Sequence, residues 1–197
     1  MNDASQTGST GKPVKLNFSH LGIIVHDLAR MEEFYTRVLG FTVSDRGVAR
    51  GAKIVFTTWD ENDHHQMVLV EGRPEHMPFN HINQMSFRVG SVEELQAVHE
   101  RVKGADGVHD LYGTNHGNAW SIYFRDPEGN RLEIFCDSPW YIDQPCVQDL
   151  DLSLPADEIR ARSLEFCRNS HGFRPVEEHR KELAEKIKAH TGSLGGA

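Results

Sequence analysis

Glu133 stands alone as a carboxylate in the apolar run Leu132–Phe135, LEIF. An ionised acid inside an apolar strand is costly to bury without a partner. A bound metal ion is one partner; water on the open side of a one-sided sheet is another. The chain also carries 12 histidines, side chains that ligate metals and titrate near neutral pH. Among them are His20 on an apolar strand, the pair His64-His65 ahead of another, His81, and His116 in His-Gly-Asn. The cysteines, Cys136, Cys146 and Cys167, are odd in number and lack Cys-x-x-Cys spacing. They read as reduced thiols of a cytoplasmic protein rather than zinc ligands.

The elements that must position these residues repeat. Around Glu133, Trp120, Ile122 and Phe124 alternate with Ser121, Tyr123 and Arg125, the period of a half-buried strand. Asp126-Pro127-Glu128-Gly129 is turn chemistry, and the strand bearing Glu133 follows. Near the start, Leu21, Ile23 and Val25 share one strand face, while His20, Gly22 and Ile24 share the other. Asp27 caps a helix over 28–39 with apolar positions Leu28, Met31, Phe34, Tyr35 and Val38, ended by Gly40. Strands over 41–45, 52–59 and 64–72 follow. After a linker at about 73–80, the pattern restarts with a strand over 83–89. A capping box, Ser91 with Glu94, then opens a helix whose stripe is Val92, Leu95, Val98 and Val102. The overlay needs no gap: His20 falls on Gln84 (84 − 20 = 64) and Gly40 on Gly104 (104 − 40 = 64). The chain is therefore a βαβββ unit used twice. Neither unit can bury both faces of its sheet alone, so the two must pack together. Residues 1–13 read as a disordered leader without the apolar segment of a signal peptide. Residues 138–197 read as a loop and helical extension, with helices expected over 155–169 and 177–190.

The twofold βαβββ unit, the opening SHLGIIV and the closing DPEGNRLEIF together resemble the vicinal oxygen chelate superfamily. That superfamily holds extradiol catechol dioxygenases, glyoxalases, fosfomycin-resistance transferases, epimerases and metal-free bleomycin-binding proteins. The resemblance covers residues 16 to about 137. It implies an α+β fold, in which modules over about 14–72 and 81–137 form an eight-stranded cup around one divalent metal, with the C-terminal helical extension added. Carried over by position, it implies His20, Gln84 and Glu133 as metal ligands. Extradiol dioxygenases have a second histidine where this chain has Gln84; His81, on the opposite strand parity, is the alternative. Two neutral donors and one carboxylate suit Fe(II), with Mn(II) or another divalent ion possible, because a carboxamide oxygen is the harder donor.

The extradiol enzymes that open 2,3-dihydroxybiphenyl are the nearest branch. By that resemblance His65 is the catalytic base, His116 faces dioxygen and Tyr123 donates to a substrate oxygen. Trp59, Met67 and Trp120 are expected to wall the substrate pocket, with Phe79 a further candidate. The expected function is metal-dependent ring opening of a catechol-type aromatic by O2. The alternatives are a glyoxalase-like lyase, isomerase or epimerase, and a metal-free binding protein. Val68 stands where glyoxalases place an acidic ligand. The net charge of −8 argues against a nucleic-acid partner. No long apolar run is present to span a membrane. The partners expected are a small aromatic substrate, O2 and further copies of the chain, as a dimer or larger homo-oligomer.

Overall fold

A computed structural model describes residues 14–77 and 82–194. The first module comprises β1 (Leu21–Val25), α1 (Leu28–Glu33), β2 (Thr42–Ala49), β3 (Ala52–Thr58) and β4 (Met67–Glu71). The second comprises β5 (Met85–Arg88), α2 (Val92–Val102), β6 (His109–Asn115), β7 (Ala119–Arg125) and β8 (Arg131–Asp137). The extension adds β9 (Trp140–Tyr141), β10 (Gln148–Asp149), α3 (Ala156–Arg168), β11 (Arg174–Pro175) and α4 (Val176–Leu194). The fold is α+β, and the repeat is visible in its pairing. β1 runs parallel to β4 with Leu21 beside Met67, and β5 runs parallel to β8 with Met85 beside Leu132. The eight module strands are divided between two sheets, in the orders β1-β4-β3-β2 and β10-β6-β7-β8-β5. Among the described residues, no helix is long and apolar enough to cross a membrane.

The apolar side of each sheet carries its helix. Ile23, Val25, Val55, Met67 and Leu69 meet Met31, Phe34 and Tyr35 in one cluster, which continues into Leu95, Val102, Ile122, Phe124 and Ile134 of the second module. The single helix expected over 28–39 is instead α1 followed by a π-helical turn over Phe34–Val38. There the Leu39 amide reaches back to the Phe34 carbonyl. The wider turn lets the consecutive Phe34 and Tyr35 both enter the core. Gly40 then turns the chain with φ +81° in close contact with the Trp59 ring, where a side chain would be strained and would collide.

Polar groups join the two modules. The Glu128 carboxylate accepts the amides of His26 (2.8 and 3.0 Å) and Asp27 (2.8 Å) at the entry to α1. It also pairs with Arg73 at 2.8 Å; the two side chains retain 6 % and 3 % exposure. Next to it, buried Asp126 accepts from Tyr35 Oη (3.2 Å) and from the amide and side chain of Asn130 (2.9 and 2.7 Å). Burial holds the Asp126 carboxyl above its ordinary value despite these donors.

The part of the extension around α3 lies on the helix side of the second sheet. Gln96 of α2 donates to the carbonyls of Leu152 and Leu154. Trp120 Nε1 donates to Ser163 of α3 at 2.7 Å, and Arg160 pairs with Glu93 at 2.6 Å. Ile142, Leu152, Ile159 and Cys167 complete the core there.

Removing one member of a buried ion pair strands the other. Glu128→Ala is therefore expected to cost about 3–5 kcal/mol, lowering Tm by roughly 10 °C. Thermal unfolding followed by circular dichroism checks this; a loss below about 1 kcal/mol, the scale of a surface pair, would show that the clamp is incidental.

Candidate active site

Glu133 projects from β8 between two strands that serve it. Tyr123 of β7 lies directly opposite it on one side, and Ser86 of β5 lies beside it on the other. Alternation puts Ser121, two residues from Tyr123, on the same face. Glu133 is 9 % exposed. Oε1 accepts from Tyr123 Oη (2.6 Å) and Ser121 Oγ (2.8 Å). Oε2 accepts from Ser86 Oγ (2.6 Å) and Gln84 Nε2 (3.1 Å). A carboxylate offers about four lone-pair positions, and four donors occupy them.

The line continues beyond Tyr123. His116 Nε2 lies 2.9 Å from Tyr123 Oη, and His116 Nδ1 lies 2.7 Å from the Cys146 carbonyl. A carbonyl can only accept, so Nδ1 carries a proton. The Tyr123 hydroxyl has one proton: given to Glu133 Oε1 it leaves the phenol oxygen as an acceptor toward Nε2, and given to Nε2 it leaves Glu133 with three donors. Both ring nitrogens are thus engaged, and His116 acts on the site through Tyr123. Gln144 fixes the same loop by donating to the His116 carbonyl at 2.8 Å. Burial, followed by the hydrogen bond to Glu133, pushes the Tyr123 phenol well above its ordinary value. Tyr123 is therefore a donor that stays protonated.

The first module contributes a second group. The His20 and His65 rings are 4.3 Å apart, and the His65 ring also packs on Phe56 at 5.1 Å. His64 Nδ1 and His65 Nδ1 are separated by 2.8 Å, so one donates and the other accepts. Asp45 lies 3.8 Å from His64 Nε2. That separation is beyond hydrogen-bond distance, so the Nδ1–Nδ1 contact is what ties the two rings together. Burial, with help from the neighbouring His20 and His64, holds His65 below the ordinary imidazole value.

Of the residues expected from the sequence, Gln84, His116, Tyr123 and Glu133 meet in one group, and His20 and His65 in another. Among the described residues, no three His, Cys, Asp or Glu side chains converge as a metal-binding group. The donor chemistry of Gln84 and Glu133 does suit a divalent ion. Turning the Gln84 amide exchanges Nε2 for Oε1 with little change in shape, replacing a hydrogen bond to Glu133 by a second oxygen ligand. His81 lies outside the described residues, as does Phe79. Met67 and Trp120 are core residues on the helix sides of their sheets, and Trp59 is 61 % exposed against Gly40 and Phe41. Strand parity puts Ser86 on the face of Gln84 and Ser121 on the face of Tyr123, but the sequence assigns neither serine a role; the structure gives both to Glu133.

The family model described as the Glyoxalase/Bleomycin resistance protein/Dioxygenase superfamily matches residues 17–134. Metapyrocatechase of Pseudomonas sp. (strain CF600) is 27 % identical over 124 residues, which are 61 % of this chain and 39 % of that protein. Biphenyl-2,3-diol 1,2-dioxygenase 2 of Rhodococcus globerulus is 26 % identical over 125 residues, 61 % of this chain and 63 % of that protein. The match to 2,2',3-trihydroxybiphenyl dioxygenase of Sphingomonas paucimobilis is 26 % identical over 149 residues, 70 % of this chain and 50 % of that protein. The chain thus spans less than two thirds of each of these relatives. A glyoxylase/bleomycin resistance protein/dioxygenase domain from Frankia sp. EAN1pec superposes with a TM-score of 0.55 at 22 % identity, covering 64 % of this chain and all of that domain. That likeness concerns the fold.

Two outcomes are expected from this geometry. Tyr123→Phe leaves the buried Glu133 one donor short and should cost about 1–3 kcal/mol, measured by urea unfolding; an unchanged midpoint would mean that the contact contributes nothing. A depressed imidazole stabilises the fold above its unfolded value of about 6.5 and loses that contribution as pH falls through the folded value. Stability should therefore drop on acidification below about pH 6.5, and less steeply in His65→Ala. An equal drop in the variant would assign the titration elsewhere.

Proposed function

The chain belongs to the glyoxalase/bleomycin resistance protein/dioxygenase superfamily, and from that premise we propose that it is an extradiol dioxygenase. It opens the ring of a catechol-type aromatic, and both atoms of O2 enter the product. The observation that carries this reading is the Tyr123 hydroxyl, held between Glu133 at 2.6 Å and His116 at 2.9 Å. Relatives named as biphenyl-diol dioxygenases and a metapyrocatechase support it.

In this reading His20, Gln84 and Glu133 hold a divalent ion, Fe(II) or alternatively Mn(II), which supplies Lewis acidity to vicinal hydroxyls and a path for electrons to O2. His65 receives a phenolic proton, its imidazole held below the ordinary value by burial and by its histidine neighbours. Tyr123 keeps its proton and donates to a substrate oxygen. His116, anchored by the Cys146 carbonyl, orients Tyr123 and is a positioning residue. Ser86 and Ser121 hold the carboxylate in place, as hydrogen-bonded ligand carboxylates are held in metal sites.

One observation favours a second reading, a metal-free binding protein: Glu133 already receives four donors without an ion. Metal analysis and oxygen uptake separate the two. Protein purified without oxygen should carry a stoichiometric divalent metal and consume O2 with a catechol. Glu133→Ala, Gln84→Ala and His20→Ala should each lose the metal, while His65→Ala should keep it and lose about 10²–10⁴-fold in rate. Metal loss in His81→Ala with retention in Gln84→Ala would move the third ligand to His81. Metal-free wild type that binds catechols without O2 uptake would leave the binding protein.

A further inference from the structure

Three arginines share the face of the second sheet that carries Glu133. Arg88 of β5 pairs with Asp137 at 3.2 Å and lies over the Phe135 ring. Arg125 of β7 pairs with Asp110 at 3.0 Å and donates to the Gly129 carbonyl at 2.8 Å. Arg131 of β8 has no acidic partner among the described residues. Its guanidinium donates to Tyr112 Oη and stands over two aromatic faces, 5.2 Å from the Tyr123 ring centre and 5.9 Å from that of Tyr112. Those two rings are themselves stacked at 5.2 Å with 19° between planes.

Arg131 lies directly opposite Arg125 on the neighbouring strand, and like charges so placed repel. Arg125 has a carboxylate to offset its charge, whereas Arg131 has a phenol and π faces. Contacts of that kind do not pair the charge with a carboxylate. The position over the Tyr123 ring sets the fork beside the residue that touches Glu133. Arg131 and Glu133 are two residues apart on one strand face, roughly 7 Å, a span that one substituted benzene ring bridges. Tyr112 is 43 % exposed, so this end of the site is open to a ligand.

We propose that Arg131 is a specificity residue of this site, receiving a carboxylate carried on the aromatic ring of the substrate, with Tyr112 as the ring-flanking wall. The inference rests on reading the site as one for a catechol-type ring. It narrows the substrate class to carboxylated catechols. The guanidinium fork suits a carboxylate in bidentate fashion, and the stacked tyrosines hold the fork in place before the ligand arrives.

The test compares 3,4-dihydroxybenzoate with 4-methylcatechol, which replaces the carboxylate by a methyl group. Dissociation constants are measured by calorimetry under argon for wild type, Arg131→Met and Arg131→Lys, with circular dichroism confirming the fold. Wild type should bind the carboxylated probe more tightly. Arg131→Met should weaken that probe by about 10–100-fold and leave 4-methylcatechol unchanged, while Arg131→Lys should recover part of the loss. Equal weakening of both probes would make Arg131 a packing residue and overturn the proposal. No change for either probe would overturn it as well. Oxygen uptake is then followed with both probes. Selective binding lost in Arg131→Met but without oxygen consumption would uphold the carboxylate site and overturn the dioxygenase reading. Uptake that is insensitive to Arg131→Met would do the reverse.

Discussion

The carboxylate of Glu128 joins three elements at one point. It closes the exposed amides at the start of α1, neutralises Arg73 after β4, and belongs to the turn that launches β8. The buried carboxylate is tolerated because two backbone amides and one guanidinium meet it. The consequence is positional. The turn that sets the register of β7 against β8 is fixed to the first module, so the strand bearing Glu133 cannot move independently of it. Asp126 and Tyr35 repeat the device one step away.

A second buried carboxylate organises the chemistry. Glu133 is surrounded by groups that differ in what they can give up. The hydroxyls of Ser86 and Ser121 are short and held by neighbouring strands. Tyr123 is tied to His116, and through it to the Cys146 carbonyl of the extension. The Gln84 amide is the donor that can be turned over at small cost. Three of these donors are held by neighbouring elements and one is exchangeable, which leaves one position of the carboxylate adaptable to an ion. The extension contributes to this site through the Cys146 carbonyl and the Gln144 side chain, both on His116, while its surface around α3 packs beside α2.

Much of the fold was legible in the sequence, for a physical reason. Helical and strand periodicities are local, and the constant offset of 64 between Leu21 and Met85 repeats one local pattern. The parallel pairings of β1 with β4 and of β5 with β8 follow that repeat. The π-helical turn at Phe34–Val38 was not legible as such, because the pattern of apolar residues is the same in a continuous helix. What selects the wider turn is burial of two consecutive aromatic residues. Trp120 and Met67 illustrate the same limit. Each alternates properly along its strand, but alternation does not say which face meets the helices.

By itself, the amino-acid sequence determined the twofold βαβββ unit, the turn Asp126–Gly129 and the set of residues able to do chemistry, since composition and spacing act over a few residues. Tertiary structure alone decided which of those residues meet. It grouped Gln84, His116, Tyr123 and Glu133 on one sheet and stacked His20 on His65 in the other. It placed Ser86 and Ser121 against Glu133, and among the described residues it set Arg131 on tyrosine faces with no carboxylate partner. Hydrogen bonds and ion pairs between residues 47 or 102 positions apart depend on sheet register and module packing, and neither is written in any local stretch of the chain.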